Sequence, residues 1–194
     1  MLLELIEKNF YEAQKSIADF ISDKSNFVAI ENAALKMFEA LESGNKIISC
    51  GNGGSMSDAM HFAEELSGFF RKKRKSFAAI SISDPSYISC VANDLGYDYI
   101  FSRFVEGHGK TGDVLLAIST SGNSENVVLA AKEAKTKNMI VVALTGKNGG
   151  KLAEICDIEI RAPFSEFSDR VQEIHIKIIH TLINCIEEQL NNKI

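Results

Sequence analysis

Lys46-Ile-Ile-Ser-Cys-Gly-Asn-Gly-Gly-Ser55 and Asp113-Val-Leu-Leu-Ala-Ile-Ser-Thr-Ser-Gly-Asn-Ser124 share one grammar. Each starts with a short apolar run, passes through a loop of small residues and opens an amphipathic stretch. That is the pattern of strand, turn and helix. Outward from these two, apolar runs recur at residues 77–82, 139–144 and 158–160. Helical periodicity fills the intervals at 56–69, 84–94, 97–107 and 124–136. Repeated β–loop–α units with right-handed crossovers predict an α/β fold, an open parallel-sheet three-layer sandwich.

Both ends of the chain depart from this alternation. Residues 1–43 read as two helices, with Leu2, Leu3, Ile6, Phe10, Ile17 and Phe20 at helical spacing in the first. Ser25 or Asn26 is the candidate cap of the second, and Ser43-Gly44-Asn45 ends it. A long final helix over 169–189 is apolar on much of its circumference and asks to be buried, with another subunit as a candidate cover. Two prolines and no low-complexity segment leave no obvious linker. The reading is a single domain over 1–194, with 1–43 a helical extension packing on the core or on a partner subunit.

With 194 residues and 45% hydrophobic content, the chain can bury a full core without staples. A net charge of −5 gives no general attraction to nucleic acid or anionic membrane. Cys50, Cys90, Cys156 and Cys185 are scattered, with no zinc-ribbon spacing, which suits reduced thiols. Glu4 and Glu7 interrupt the N-terminal apolar stretch, unlike a signal peptide. No apolar run approaches the roughly 20 residues of a spanning helix. The expected location is the cytoplasm.

The two loops carry the chemistry. Cys50-Gly-Asn-Gly-Gly-Ser55 is neither GxGxxG nor a P-loop, and it reads either as a ligand-approaching turn or as a tight strand-to-helix connection. Ser119-Thr-Ser-Gly-Asn-Ser124 places four hydroxyls before a helix, whereas a cap needs one. Hydroxyls and helix-start amides suit phosphate oxygens, and both loops fall at strand ends where open sheets bind ligands. Together they point to a sugar phosphate. Asn93-Asp94-Leu95-Gly96 is a third candidate, with Asp94 either a sugar-hydroxyl ligand or a helix-end residue.

Charged residues add a second constellation. His61 and Glu65 lie four apart, on one helix face beside the first loop. That spacing serves a metal, a base with its partner, or only a surface pair. In the last helix His180 stands among isoleucines, so its nitrogens need partners or a metal. Gln172 and His180 share a helix side but are separated by about 12 Å of rise. One ion collects both only with sharply leaning side chains or a site shared between subunits. The Arg71-Lys-Lys-Arg-Lys75 run reads as a solvated loop or an attractor of phosphorylated substrate. No aromatic interleaving or DNA-binding motif supports nucleic acid.

Cys50-Gly-Asn-Gly-Gly-Ser55, His61-Phe-Ala-Glu-Glu-Leu66, Ile118-Ser-Thr-Ser-Gly-Asn-Ser124 and Asp169-Arg-Val-Gln-Glu-Ile-His175 resemble the bacterial phosphoheptose isomerases of the sugar-isomerase (SIS) fold family. The resemblance covers nearly the whole chain. The serine loop specifies only the wider family, and the His61 and Gln172 segments point to the phosphoheptose group. It implies conversion of D-sedoheptulose 7-phosphate to D-glycero-D-manno-heptose 7-phosphate for bacterial surface polysaccharide. It implies a homotetramer and one zinc per subunit, held by His61, Glu65, Gln172 and His180. Substrate is then expected at Asn52, Gly53, Gly54, Ser55, Glu65, Asn93, Asp94, Ser119, Thr120, Ser121, Ser124, Asp169 and Gln172. Phe69 stands where some members have an arginine, and Met56 where some have a polar residue.

Ketose–aldose isomerisation needs a base at carbon, an acid at oxygen and stabilisation of a developing oxyanion. Glu65 is the expected base and His180 the expected proton donor. A zinc ion there would polarise the carbonyl, but a residue fully occupied as ligand does not exchange protons readily. The alternatives are a non-catalytic SIS-fold protein that binds a replication initiator and a sugar-phosphate sensor. The joint presence of Glu65, Gln172 and His180 argues for the enzyme.

Overall fold

The structure, a computed structural model, describes residues 1–191. β1 (Ile47–Gly51), β2 (Ala79–Ser81), β3 (Val114–Ser119), β4 (Ile140–Thr145) and β5 (Ile158–Arg161) pair in parallel in the order β2-β1-β3-β4-β5. β1 and β3 are buried along their whole length. Such strands must be apolar on both faces, because helices cover both sides of a parallel sheet. Alternation along β3 divides the core. Val114, Leu116 and Ile118 face one layer, while Leu115 and Ala117 face the other.

The first layer holds α2 (Ser25–Glu42), α3 (Gly54–Ser67) and α8 (Ser168–Asn191). Phe38, Phe62, Leu66, Ile178, Leu182 and Ile186 are buried there. The second holds α5 (Ile100–His108) and α6 (Glu125–Thr136), with Phe101, Val105, Val127 and Ala131 inside. α4 (Pro85–Asp94) and the four-residue α7 (Gly150–Ala153) complete that side. α1 (Leu2–Ser22) buries only Phe20 and leaves Leu2, Leu3, Ile6 and Phe10 exposed. Arg170 ties it to α8 through the main-chain and side-chain oxygens of Asn9, at 3.3 and 2.9 Å.

The sandwich read from the sequence is the one observed, with local differences. The helix expected over 97–107 splits into a 3-10 turn, Tyr97–Tyr99, and α5. The Asp23 carboxylate accepts from the Ser25 amide at 2.9 Å, so the bond at the start of α2 comes from a residue before either expected cap. α8 is less uniformly apolar than expected. It buries Val171, Ile174, Ile178, Ile179 and Ile183, but turns Lys177, Thr181, Asn184 and Glu188 to the other side. There, with α1 and α2, it forms a largely apolar groove of about 490 Å³. Among the described residues no helix is long and apolar enough to cross a membrane.

Candidate active site

Strand order fixes where a ligand fits. The chain passes from β1 to its outer neighbour β2, then returns to β3 on the other side of β1. The loops leaving β1 and β3 therefore diverge and open a crevice at the carboxyl ends of the strands. Asn52, Gly53, Gly54, Ser55, Ser119, Thr120, Ser124, Ser168 and Gln172 line a cleft of about 300 Å³ there.

Each wall has a physical reason. Gly53 has φ +55° and ψ −122°, a conformation that L side chains rarely adopt, and it turns the chain into α3. A Cβ on Gly54 would lie 2.6 Å from the Gln172 amide nitrogen, so a larger residue would displace Gln172. Opposite, Ser119 is nearly buried and its hydroxyl donates to the Ser124 hydroxyl at 3.0 Å. Ser124 is the N-cap residue of α6 but makes no side-chain capping bond. Its oxygen is therefore directed to the cleft wall rather than to the helix. Gly122, at φ +66°, packs against the Gly149 carbonyl, where a Cβ would collide with backbone. The Asn52 and Asn126 amides hold each other by reciprocal bonds of 2.8 and 2.9 Å. The Tyr97 hydroxyl donates to Asn52 Oδ1 at 3.1 Å.

α3 and α8 both start at this cleft and run side by side away from it. Two turns on, His61 Nε2 lies 3.3 Å from His180 Nε2 and 3.5 Å from Glu65 Oε1. The Phe70 ring stacks on His180 with centroids 5.6 Å apart and planes at 25°. Burial, and next the neighbouring His61, hold the His180 imidazole below its ordinary range, and Glu65 partly opposes them. A neutral imidazole results near pH 7, able to donate from one nitrogen and accept at the other. His61 and His180 of one chain supply each other's polar partner, so their meeting needs no neighbouring subunit.

The expected zinc site is not found. Among the described residues no group of three or more His, Cys, Asp or Glu is arranged to hold a metal. His61 is engaged with His180 and Glu65, while Gln172 stands at the cleft against Gly54. The set His61, Glu65, Gln172 and His180 is thus divided between two places.

Other expected residues lie outside the cleft. Ser121 accepts from the Asn123 amide at 3.1 Å and shapes the loop from within. Asn93 and Asp94 end α4, exposed and bonded to each other at 2.8 Å. Asp169 is exposed and bonded to Arg170.

Sequence reading missed several groups. Tyr97 comes from a position far from both loops, while Ser168 and Asn126 sit just outside the quoted segments, beside Asp169 and beyond Ser124, with no residue-type signal of their own. Asp58 had one, because it precedes His61 by three residues on the same helix face. It is buried, its Oδ2 has no hydrogen-bond partner, and burial raises its carboxyl to about 6. His175, already visible in the Asp169–His175 segment one turn beyond Gln172, is a core histidine: it is fully buried and its Nε2 lies 2.8 Å from the Thr145 carbonyl oxygen. Burial lowers it to about 4, so it pins α8 to the end of β4 as a neutral donor.

Comparison with known proteins agrees with this architecture. Residues 9–146 match the family described as SIS domain. The phosphoheptose isomerase of Tolumonas auensis is 55% identical over 190 residues, covering 98% of this chain and 99% of that protein. The solved phosphoheptose isomerase of Neisseria gonorrhoeae matches with TM-score 0.89 at 38% identity, over 97% of this chain and 100% of the other. That of Francisella tularensis gives 0.92 at 36% identity, over 97% and 99%.

Proposed function

This chain belongs to the SIS-domain family, among its phosphoheptose isomerases, and from that premise we propose that it interconverts D-sedoheptulose 7-phosphate and D-glycero-D-manno-heptose 7-phosphate. The observation that carries the site assignment is the pairing of a hydroxyl-lined cleft with a carboxylate–imidazole cluster along one pair of helices.

The phosphate binds at the cleft, to Ser119, Thr120 and Ser124 and the opening turn of α6. Asn52, Gly53, Gly54, Ser55 and Gln172 hold the adjoining end of the sugar. The sugar chain extends along α3 and α8 and brings C1 and C2 to Glu65 and His180. Glu65 removes a proton from C1 while His180 delivers one to the C2 oxygen, giving the enediol. Loss of the O1 proton and return of a proton to C2 then leave the aldose. Ser121, Asn93, Asp94 and Asp169 take no part in this scheme.

Purified protein incubated with D-sedoheptulose 7-phosphate is expected to form the aldose 7-phosphate. No conversion of any ketose phosphate would overturn the reading. The replication-initiator and sensor alternatives gain nothing from the relatives found.

The assembly belongs to the same proposal. The apolar groove of about 490 Å³ and the exposed Leu2, Leu3, Ile6 and Phe10 of α1 support a homotetramer built on these helices. Residues 1–43 then act as an extension of one 1–194 unit rather than as a separate domain. All four cysteines are free, consistent with work in the cytoplasm, where the product feeds heptose into surface polysaccharide.

A further inference from the structure

The basic run over 71–75 reads as solvated, and Lys72 behaves so, with an exposed pair to Glu188 at 2.8 Å. Arg74 does not. Its side chain is 7% exposed, and it meets Glu187, 2% exposed, at 2.7 Å. Every arm of the guanidinium is committed. Nε donates to Glu187, Nη2 to the Glu65 carbonyl at 2.8 Å, and Nη1 to the Leu66 carbonyl at 2.8 Å. The Phe77 ring lies beneath, 4.6 Å from the guanidinium carbon. Arg74 therefore satisfies the open carbonyls at the C-terminus of α3, where a cation is also favoured by the helix dipole.

The other half of the pair reaches a different target. The Glu187 carboxylate accepts from the main-chain amides of Phe70 at 3.0 Å and Arg71 at 3.1 Å. Those bonds set the peptide that lays Phe70 on His180. Glu187 follows His180 by two helical turns on α8, so both share one side of the helix. The pair stabilises the fold, since it satisfies carbonyls of α3 and amides of the Phe70–Arg71 segment, and the same bonds also fix where the Phe70 ring lies against His180.

We propose that Arg74 and Glu187 are positioning residues, a clamp that fixes the end of α3 and the Phe70 peptide so that Glu65 and His180 keep reactive geometry. This rests on the isomerase reading above. A displacement of about 1 Å at a reacting group costs up to about a hundredfold in rate. The phosphate cleft lies at the opposite end of both helices, so the clamp governs turnover and not capture.

The test measures Glu187→Gln, Arg74→Lys and Phe70→Leu on D-sedoheptulose 7-phosphate, after unfolding midpoints establish that each is folded. Glu187→Gln and Arg74→Lys are each expected to lower kcat about tenfold with KM within about twofold. Phe70→Leu combined with Glu187→Gln is expected to lose less than the product of the two, because both act through one contact. At fixed pH, the His180 ring signals, assigned with His180→Gln, are expected to lose their displacement by the Phe70 ring current in Glu187→Gln. Folded variants with kcat within twofold of wild type and unmoved His180 signals would overturn the clamp. So would a lowered unfolding midpoint with unchanged kcat. If Glu187→Gln and Arg74→Lys fail to fold, Phe70→Leu decides: a tenfold fall in kcat supports the clamp and an unchanged kcat overturns it. Wild-type protein inactive on every ketose phosphate, with the ring-current change still seen, would sink the isomerase reading while the structural clamp stands.

Discussion

The cleft at the strand ends and the cluster two turns along α3 and α8 are built in opposite ways. The cleft is made of backbone turns, small side chains and helix starts, mostly from two contiguous loops. The cluster is made of long side chains from separate helices, held by a ring from a third segment and an ion pair beyond it. The first kind of site takes its shape from where the backbone turns, at glycines such as Gly53 and Gly122 that larger residues would not replace without strain or collision. The second holds its geometry only as well as the surrounding packing does. In the proposed assignment, binding falls to the part shaped by backbone turns, and chemistry to the part whose placement depends on side-chain packing.

Predictions follow the same division, beginning with the cluster. Glu65→Gln keeps the side chain's shape and removes the base, so kcat should fall by two to four decades, about 3–5 kcal/mol of barrier. Near-wild-type turnover would end the base assignment and with it the contrast between the two regions.

His175 joins the regions, since it anchors α8 between Gln172 and His180. Its folded value, about 4, lies below the ordinary 6.5, and burial is the main cause. Below pH 6.5 the unfolded chain binds a proton that the native one refuses until about pH 4, so stability is full above that window and falls through it. Urea unfolding should show about 2 kcal/mol less stability from this group at pH 5 than at pH 7. In His175→Gln this share of the pH dependence should vanish. Equal slopes in both proteins would remove His175 as the cause.

At the cleft, Ser119→Ala and Ser124→Ala should raise KM about tenfold, about 1.4 kcal/mol each, with kcat little changed, because phosphate contacts persist from ground to transition state. A fall in kcat at constant KM would place these hydroxyls with the chemistry instead. The smallest effect concerns Asp58, whose folded value of about 6 lies above its ordinary 3.8 because of burial. Its charged form opposes folding above that window, so Asp58→Asn should stabilise the protein at pH 8 by about 1 kcal/mol. Thermal melts at pH 8 and pH 4 check this, since the gain should shrink at the lower pH.

Legibility in the sequence followed the same contrast. Strands and helices were readable because apolar periodicity is local, and the serine loop was readable because four hydroxyls sit together. His61, Glu65 and His180 were expected together around a zinc or across a subunit boundary, but their meeting within one chain was not, since it depends on the packing of α3 against α8. Arg74 was lost in a run of like charges, where nothing marks the one that turns inward. The zinc set failed for a related reason. Residue identities and spacings matched a familiar pattern, while the structure sends Gln172 to the cleft. Asn126 and Tyr97 reach Asn52 from distant positions, and no spacing rule connects them.

The side-by-side course of α3 and α8 makes the site a ruler. Seven residues separate Gly54 at the cleft from His61 at the cluster, about 10 Å of helix. A substrate anchored by its terminal phosphate reaches Glu65 only if its carbon chain covers that span. Under the proposed assignment, a triose phosphate held at the cleft is expected to leave its carbonyl short of Glu65, while a seven-carbon ketose is expected to bring C1 and C2 to it. Discrimination by length is then an expected consequence of helix geometry in that assignment.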